Sequence, residues 1–170
     1  MLKYKVLSII LVMMLILSGC ASNDVKITES YEFNADFVYS DQAMKIKVIH
    51  TKNNKNCLKI LEPDNLKDIE INSENDKIYI TIMGLTTEFD TKTLPEGQFC
   101  KAIIDTLNQL ENNEKLAKSM DNNGNIFVEV DGKECKLTFD KTTRILQKIE
   151  VPSIKFTADI YDFKDLTQEK

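Results

Sequence analysis

The sequence predicts an α+β protein: a strongly curved antiparallel sheet, forming an open and incomplete β-barrel, with one main amphipathic helix packed on its concave side. Three observations support this prediction. Most of the chain after Tyr31 alternates apolar and polar residues with a period of two, which is typical of half-buried strands. Short polar turn clusters separate these runs. A single stretch, between Leu94 and Asn113, changes to the spacing of a helix.

The first half of the chain predicts a meander of four or five strands. The main alternating runs cover residues 31–39, 44–48, 58–60 and 77–83, and the shorter runs 68–71 and 86–90 are candidates for one further short strand and a brief pairing. Turn formers such as Asn53, Asn54 and Pro63 separate them, and the run 77–83 is rich in β-branched side chains. Neighbouring runs joined by such short turns favour antiparallel pairing.

The predicted helix begins near Leu94-Pro95-Glu96, because proline fits the first helical turn and an acid favours the positive end of the helix. Its apolar stripe recurs at spacings of four and three and comprises Phe99, Ile103, Leu107 and Leu110. It ends near Asn112, and residues 114–120 predict a short second helix. One helix cannot cover both faces of a large sheet, so we expect it to lie over the concave face beside a cleft.

Four further strands are predicted after the loop at residues 121–125. They cover residues 126–130, 135–139, 145–151 and 154–160. Asp131-Gly132 is a favourable two-residue hairpin turn between the first two.

The first twenty residues predict the cellular location of the protein. Lys3 and Lys5 precede an apolar run at residues 6–17, which has the length of a signal-peptide core (roughly 7–15 residues) and is short of the ~20 that a membrane span needs. Small residues then precede Cys20, and this pattern resembles the lipobox of bacterial lipoproteins. The resemblance implies cleavage before Cys20 and attachment of diacylglycerol and further acyl chains, such as palmitate, to that residue.

Four segments follow from this pattern: a signal peptide at 1–19, a lipidated tether at 20–28, one open-barrel domain at 29–164 and a frayed tail at 165–170. We therefore expect a protein anchored by lipid to the extracytoplasmic face of the cell membrane.

Charge restricts the partners. The whole chain carries a formal charge of −5, and removal of the leader takes away two lysines and no acid, which leaves −7. An acidic domain lacks the basic face that nucleic acids need, so no nucleic-acid partner is expected. Attraction to anionic lipids is disfavoured for the same reason, so acyl chains would provide the membrane attachment.

Cysteine usage gives no redox or zinc motif, because no pair has C-x-x-C spacing. With Cys20 lipidated, Cys57, Cys100 and Cys135 remain. We expect these three to be free, partly buried thiols; a Cys57–Cys135 disulfide is the alternative.

No catalytic or metal-binding residues are predicted, and no cofactor is expected. His50, the only histidine, is interpreted as a solvent-facing strand residue. The loop from Asp121 to Asn125 has its glycine at the fourth position rather than the sixth, so it fits a polar turn better than a calcium loop. An enzyme is therefore the least favoured class.

The layout resembles one known group of proteins. The matching pieces are residues 58–63 (LKILEP), Gly84-Leu85 and Leu94-Pro95, and the similarity covers most of residues 30–163. On these pieces the chain resembles the Lol-type superfamily, which includes lipoprotein carriers and receptors, mycobacterial lipoproteins and stress sensors of the RseB kind. The resemblance implies an unclosed barrel with an apolar lining, in which members hold acyl chains, or a surface that binds partner proteins.

Two functional hypotheses remain open. In the first, an apolar or lipid-like ligand lies in the cleft between sheet and helix. The predicted lining residues are Ile46, Val48, Leu58, Ile60, Ile80, Ile82, Phe99, Ile103 and Leu107. In the second, a filled domain docks an envelope protein without any ligand, as a sensor or assembly factor. A packed interior with an exposed apolar patch would favour the second hypothesis.

Overall fold

The computed structural model describes residues 28–74, 77–90, 99–112, 120–130 and 132–167. These residues form ten strands and one α-helix, joined in places by short 3-10 turns. The elements are β1 (Tyr31–Tyr39), β2 (Gln42–Thr51), β3 (Lys55–Glu62), β4 (Ile69–Glu74), β5 (Lys77–Ile82), β6 (Leu85–Asp90), α1 (Phe99–Asn112), β7 (Asn125–Val130), β8 (Lys133–Phe139), β9 (Leu146–Val151) and β10 (Phe156–Asp165). The predicted leader and most of the predicted tether, the predicted helix start and the short second helix lie largely outside the described residues.

All ten strands belong to one antiparallel sheet with the order β6-β5-β4-β3-β2-β1-β10-β9-β8-β7. Within the described residues β6 and β7 are the two edges, so the sheet is not closed. The prediction of an open antiparallel sheet with one main helix is confirmed. The central pairing of β1 with β10 joins the two meanders and was not predicted, because sequence periodicity does not show which distant strands meet.

One face of the sheet, here called the inner face, carries the core. Alternate residues of β1, including Phe33, Ala35 and Phe37, are almost completely buried there. Their partners on β2 are Val48, Ile46 and Met44 in register. The opposite, outer face carries cross-strand ion pairs, for example Lys47 with Glu32 at 2.8 Å. The alternation predicted for these strands is therefore confirmed.

The helix packs on the inner face. Its buried side chains repeat at helical spacing: Cys100, Ile103, Ile104, Leu107 and Leu110. Thr106 Oγ1 lies 3.7 Å from Cys135 Sγ on β8. Gln109 donates to the carbonyl oxygen of Glu129 on β7 at 2.8 Å. That this face is the concave one stays a prediction.

A bulge in β10 changes the predicted pattern of the last strand. The register shifts by one residue between Glu32 and Asn34 on β1, opposite Asp162, whose φ is +53°. The extra residue turns Phe163 onto the inner face, where its ring stacks on Tyr31 at 5.2 Å. The start of the strand also differs from the prediction, because Pro152–Ile154 forms a 3-10 turn and Lys155 has a φ of +50°.

The described cysteines are free thiols, as expected. Cys57 lies on the outer face of β3, whereas Cys135 is buried on the inner face of β8. The alternative Cys57–Cys135 disulfide is therefore wrong, because opposite faces of a sheet separate the two sulfurs.

Candidate apolar binding face

The inner face is not covered evenly. Over β4 its side chains are mostly buried, but toward the β6 edge they become accessible to solvent. Ile82 is 47 % exposed, Leu85 78 % and Phe89 36 %, although all three point to the same side as the core. We call this uncovered area the open face. Its members are Ile69, Ile80, Ile82, Leu85 and Phe89.

The register of the sheet brings these side chains together. Ile69 lies opposite Ile82 on β5, and Ile82 lies opposite Leu85 on β6. Two positions further along the strands, Ile80 continues the same face, and Phe89 lies opposite Ile78. Because facing residues of antiparallel strands are about 5 Å apart, the five side chains form one surface continuous with the core. Thr87, opposite Ile80, is the polar residue on this surface between Leu85 and Phe89.

A tight turn makes this surface possible. Met83 and Gly84 both have positive φ values, +51° and +81°. This is the conformation of a type I′ turn, whose twist matches that of the strands it joins. The turn fixes the pairing of Ile82 with Leu85, and it leaves the Met83 side chain 83 % exposed at the hairpin tip. Gly84 is the residue type expected at this φ.

A buried polar cluster lies in the row of the sheet that continues through Ile78 to Phe89. Asn56 of β3 donates through Nδ2 to Ser73 Oγ at 3.1 Å and to Asn108 Oδ1 of the helix at 3.0 Å. Its Oδ1 lies 2.7 Å from His50 Nδ1. Because the Asn56 amide already donates through Nδ2, Oδ1 is the acceptor and His50 Nδ1 carries the proton.

The interpretation of His50 as a solvent-facing residue is wrong. Its side chain is fully buried, and its ring stacks on Tyr31 with centroids 4.8 Å apart. His50 follows Ile46 and Val48 at a spacing of two on β2, so strand parity alone places it on the inner face. That parity was the signal which could have found the cluster.

The contacts of this cluster are structural, because they join three strands to the helix. Asn56, Ser73 and His50 are each at most 3 % exposed, and hydrogen bonds join Asn56 to the other two, to Asn108 of the helix and to the carbonyl oxygen of Asn54. Among the described residues no group of three or more His, Cys, Asp or Glu could hold a metal ion. No described helix is long and apolar enough to cross a membrane.

The predicted lining residues separate into two groups. Six of them are buried in one continuous core with at most 5 % exposure: Ile46, Val48, Leu58, Ile60, Ile103 and Leu107. Ile80 is partly buried and Ile82 is half exposed, so these two belong to the open face. The side chain of Phe99 lies outside the described residues. A lining role for these residues stays a prediction.

Three grooves lie on the surface of the described part of the protein. One, of about 320 Å³, is on the outer face between Ile49, Cys57 and Tyr79. Another, of about 450 Å³, lies at the β10 bulge, and a third, of about 300 Å³, lies beside Lys45 and Pro63. None of the predicted lining residues borders these three grooves.

Charges on the outer face are paired, which sets their pKa values. Hydrogen bonds from Lys47 and Lys164 lower the pKa of Glu32, and bonds from Asn72 and Lys59 lower the pKa of Glu70. Burial and the nearby carboxylate of Glu70 raise the pKa of the Cys57 thiol to about 11. This thiol is therefore protonated and a poor nucleophile at neutral pH.

The Asp121 loop is a polar turn, as expected. Asp121 Oδ1 accepts the backbone N–H groups of Asn123 and Asn125, both at 2.8 Å. These hydrogen bonds lower the pKa of the Asp121 carboxyl group, and the bond from the backbone N–H of Asn125 contributes most. Its oxygens are used to fix the chain before β7.

Comparison with known proteins gives structural neighbours only. No family model and no curated protein matches the chain. A LolA superfamily protein from Nitrosomonas europaea aligns with a TM-score of 0.41 and 9 % identity, covering 84 % of this chain and 89 % of that one. A DUF1329 family protein from Desulfovibrio piger gives 0.42 and 9 %, covering 86 % and 89 %.

A third neighbour comes from the structure of the CwlD amidase of Clostridioides difficile in complex with the GerS lipoprotein. It gives a TM-score of 0.45 and 19 % identity, covering 79 % of this chain and 85 % of that one. At such scores the similarity carries no conclusion about activity. A LolA superfamily protein is thus among the chain's structural neighbours, and membership of that superfamily stays a prediction.

Proposed function

We propose that this protein is a lipoprotein anchored through Cys20 to the extracytoplasmic face of the membrane, and that its domain binds an apolar, lipid-like ligand on the open face. The observation that carries the proposal is the exposure of Ile82, Leu85 and Phe89 on the same side of the sheet as the core. Soluble domains rarely leave contiguous apolar side chains of the inner face uncovered without a binding role.

The energy for binding would come from burial. Covering an exposed side chain of the size of leucine or phenylalanine contributes on the order of 1.5–3 kcal/mol, about 25 cal/mol per Å² of apolar surface. Leu85 offers nearly its whole side chain, and Ile82 offers about half. Ile80 and Ile69 lie deeper on the same face and form its floor, because they are partly buried against the core. An acyl chain is long and narrow enough to follow such a row.

Anchoring follows from the sequence pattern at Cys20 and has its own test. Labelled palmitate should be incorporated into the wild-type chain and not into a Cys20→Ala variant, which should also lose its membrane attachment. Incorporation into that variant, or unchanged attachment, would overturn the anchoring part of the proposal.

Ligand binding is tested by titrating a fluorescent fatty acid into the full chain. Leu85→Glu should weaken binding at least tenfold, because a carboxylate would have to lose its water against the ligand. Phe127→Glu is the matched control, because Phe127 is 54 % exposed on the outer face of β7. Equal affinity of the wild type and Leu85→Glu, or equal losses in both variants, would contradict the open face as the ligand site.

A protein partner at the same surface is the second candidate. The observation that favours it is the packed interior, in which six of the predicted lining residues are buried, together with exposed apolar side chains such as Met83 (83 %) and Leu85 (78 %). In that case a fatty acid would not bind to the wild type, whereas a partner protein would protect the residues around Met83 from hydrogen exchange.

A further inference from the structure

The β6 edge is unusually well suited to pairing with another strand. Within the described residues β6 pairs only with β5, and all six of its residues are exposed. Proteins commonly protect such edges with proline, lysine or a bulge. The sequence Leu85-Thr86-Thr87-Glu88-Phe89-Asp90 contains none of these. Glu88, near the middle of the strand, forms an ion pair with Lys77 of β5, which neutralises its charge.

We infer that two copies of this chain pair through their β6 edges, antiparallel and about a two-fold axis, to form one continuous sheet. This inference goes beyond the proposed ligand, because edge pairing needs no ligand. The occupant of the edge is a second copy because β6 is complementary to itself in one register.

The turn at Met83-Gly84 decides which backbone groups are available. In a two-residue turn the residues on either side, Ile82 and Leu85, bond to each other. Backbone bonding then alternates along the strand, so Leu85, Thr87 and Phe89 direct their N–H and C=O groups toward β5. The backbone groups of Thr86 and Glu88 point away from β5, toward the incoming strand.

Only one register satisfies both backbone and side chains. With Thr87 opposite Thr87 of the second copy, Thr86 of each chain forms the hydrogen-bonded pair with Glu88 of the other. Leu85 of each copy then lies opposite Phe89 of the other copy on the inner side. No like charges lie directly opposite each other. A shift that centres the pairing on Glu88 would place two carboxylates opposite each other. A shift that centres it on Thr86 would place Phe89 opposite Met83, a turn residue outside the strand.

The pairing would extend the open face. Directly opposite residues of an antiparallel pair project to the same side, so the open faces of both copies join into one apolar floor with a helix on each far side. A six-residue edge buries less than a standard interface, so we expect a weak, concentration-dependent dimer. Anchoring both copies in one membrane would raise their effective concentration.

Disulfide trapping in membranes that carry the full chain tests the register. Thr87→Cys should form a dimer on mild oxidation, because Cα atoms of a facing non-hydrogen-bonded pair are about 4.5 Å apart, within disulfide range. Glu88→Cys should not exceed the wild-type background, because its copies would be offset by two residues and more than ~7 Å apart. The wild type controls for Cys57, Cys100 and Cys135. Trapping of Glu88→Cys, or of neither variant, would overturn the inference.

A second variant separates edge pairing from folding and from ligand binding. Thr86→Pro removes an outward N–H without breaking the ladder to β5, so the chain should fold and remain monomeric. Sedimentation of the full wild-type chain in mild detergent should show a dimer fraction that rises as the protein concentration is raised over a roughly hundredfold range. A hundredfold change in concentration corresponds to about 2.7 kcal/mol in free energy. A wild type that sediments as a monomer throughout would contradict pairing. Fatty-acid binding measured in that same sample would not depend on that result. Failure of the pairing and failure of the proposed ligand binding can therefore be distinguished.

Discussion

Asn56 of β3 and Asn108 of the helix are joined by a hydrogen bond of 3.0 Å between Asn56 Nδ2 and Asn108 Oδ1. The same Asn56 amide also contacts His50 and Ser73, so one side chain connects three strands to the helix. Through the bond to Asn108, Asn56 forms a polar contact that joins the start of β3 to the helix.

The first prediction concerns this contact. Asn56→Leu should lower the free energy of unfolding by about 2–4 kcal/mol, because the buried groups of His50 and Ser73 and the partly buried side chain of Asn108 would each lose a partner. Chemical denaturation measures the change. Asn65→Ala, at an exposed position of a 3-10 turn, is the control and should change stability by less than about 0.5 kcal/mol. Similar values for the two variants would show that the cluster does not stabilise the fold.

The second prediction compares two leucines on the inner face. Leu58 is 1 % exposed and Leu85 is 78 % exposed. Leu58→Ala should therefore cost about 2–5 kcal/mol of stability through the cavity it leaves, whereas Leu85→Ala should cost less than about 0.5 kcal/mol. Thermal or urea denaturation of both variants decides this. A large loss for Leu85→Ala would mean that this residue is part of the core.

The strand pattern was predictable because each strand has one buried face. Tyr31, Phe33, Ala35 and Phe37 alternate with polar residues, and the structure buries all four on the inner side. The helix was equally visible, because Ile103, Leu107 and Leu110 recur at its period. Such signals are local, because each depends only on the residues of one strand or one helix.

The features that define the candidate site depend on neighbours that the sequence does not identify. The parity that buries Ile46 is shared by Ile82, yet one is 1 % and the other 47 % exposed. The difference arises because Ile82 lies on β5, next to the edge strand β6. Its cross-strand neighbour on that side is Leu85, which is itself exposed. Strand parity places His50 on the inner face, but only the pairing of β2 with β3 shows that Asn56 is its partner there.

The third prediction concerns acid stability. Because Lys47 and Lys164 lower the folded-state pKa of Glu32 below its ordinary ~4.3, the stabilisation is present above that pH and is lost as pH falls through the folded-state value. A double-mutant cycle of Glu32→Gln and Lys47→Gln should give a coupling of about 0.2–1 kcal/mol at pH 7 and a smaller coupling at pH 2.5, where a larger share of Glu32 is protonated. Urea denaturation at the two pH values measures it, and a coupling independent of pH would refute the ion pair.

The fourth prediction concerns thiol reactivity. With a pKa of about 11, on the order of one Cys57 thiol in a thousand is ionised at pH 8, so alkylation should be slow and should accelerate as pH rises. Glu70→Gln should increase the rate, because the Glu70 charge helps to raise that pKa. Peptide mass spectrometry assigns the label to Cys57. Reaction as fast as that of glutathione would contradict this environment.

The central claim is that an apolar ligand binds the open face, and photolabelling tests it most directly. A fatty acid with a photoreactive group near its end should label the folded full chain on peptides that contain Ile82, Leu85 or Phe89, and excess unlabelled fatty acid should compete. Labelling confined to the outer-face groove around Ile49 and Tyr79, or no competable labelling, would contradict the account.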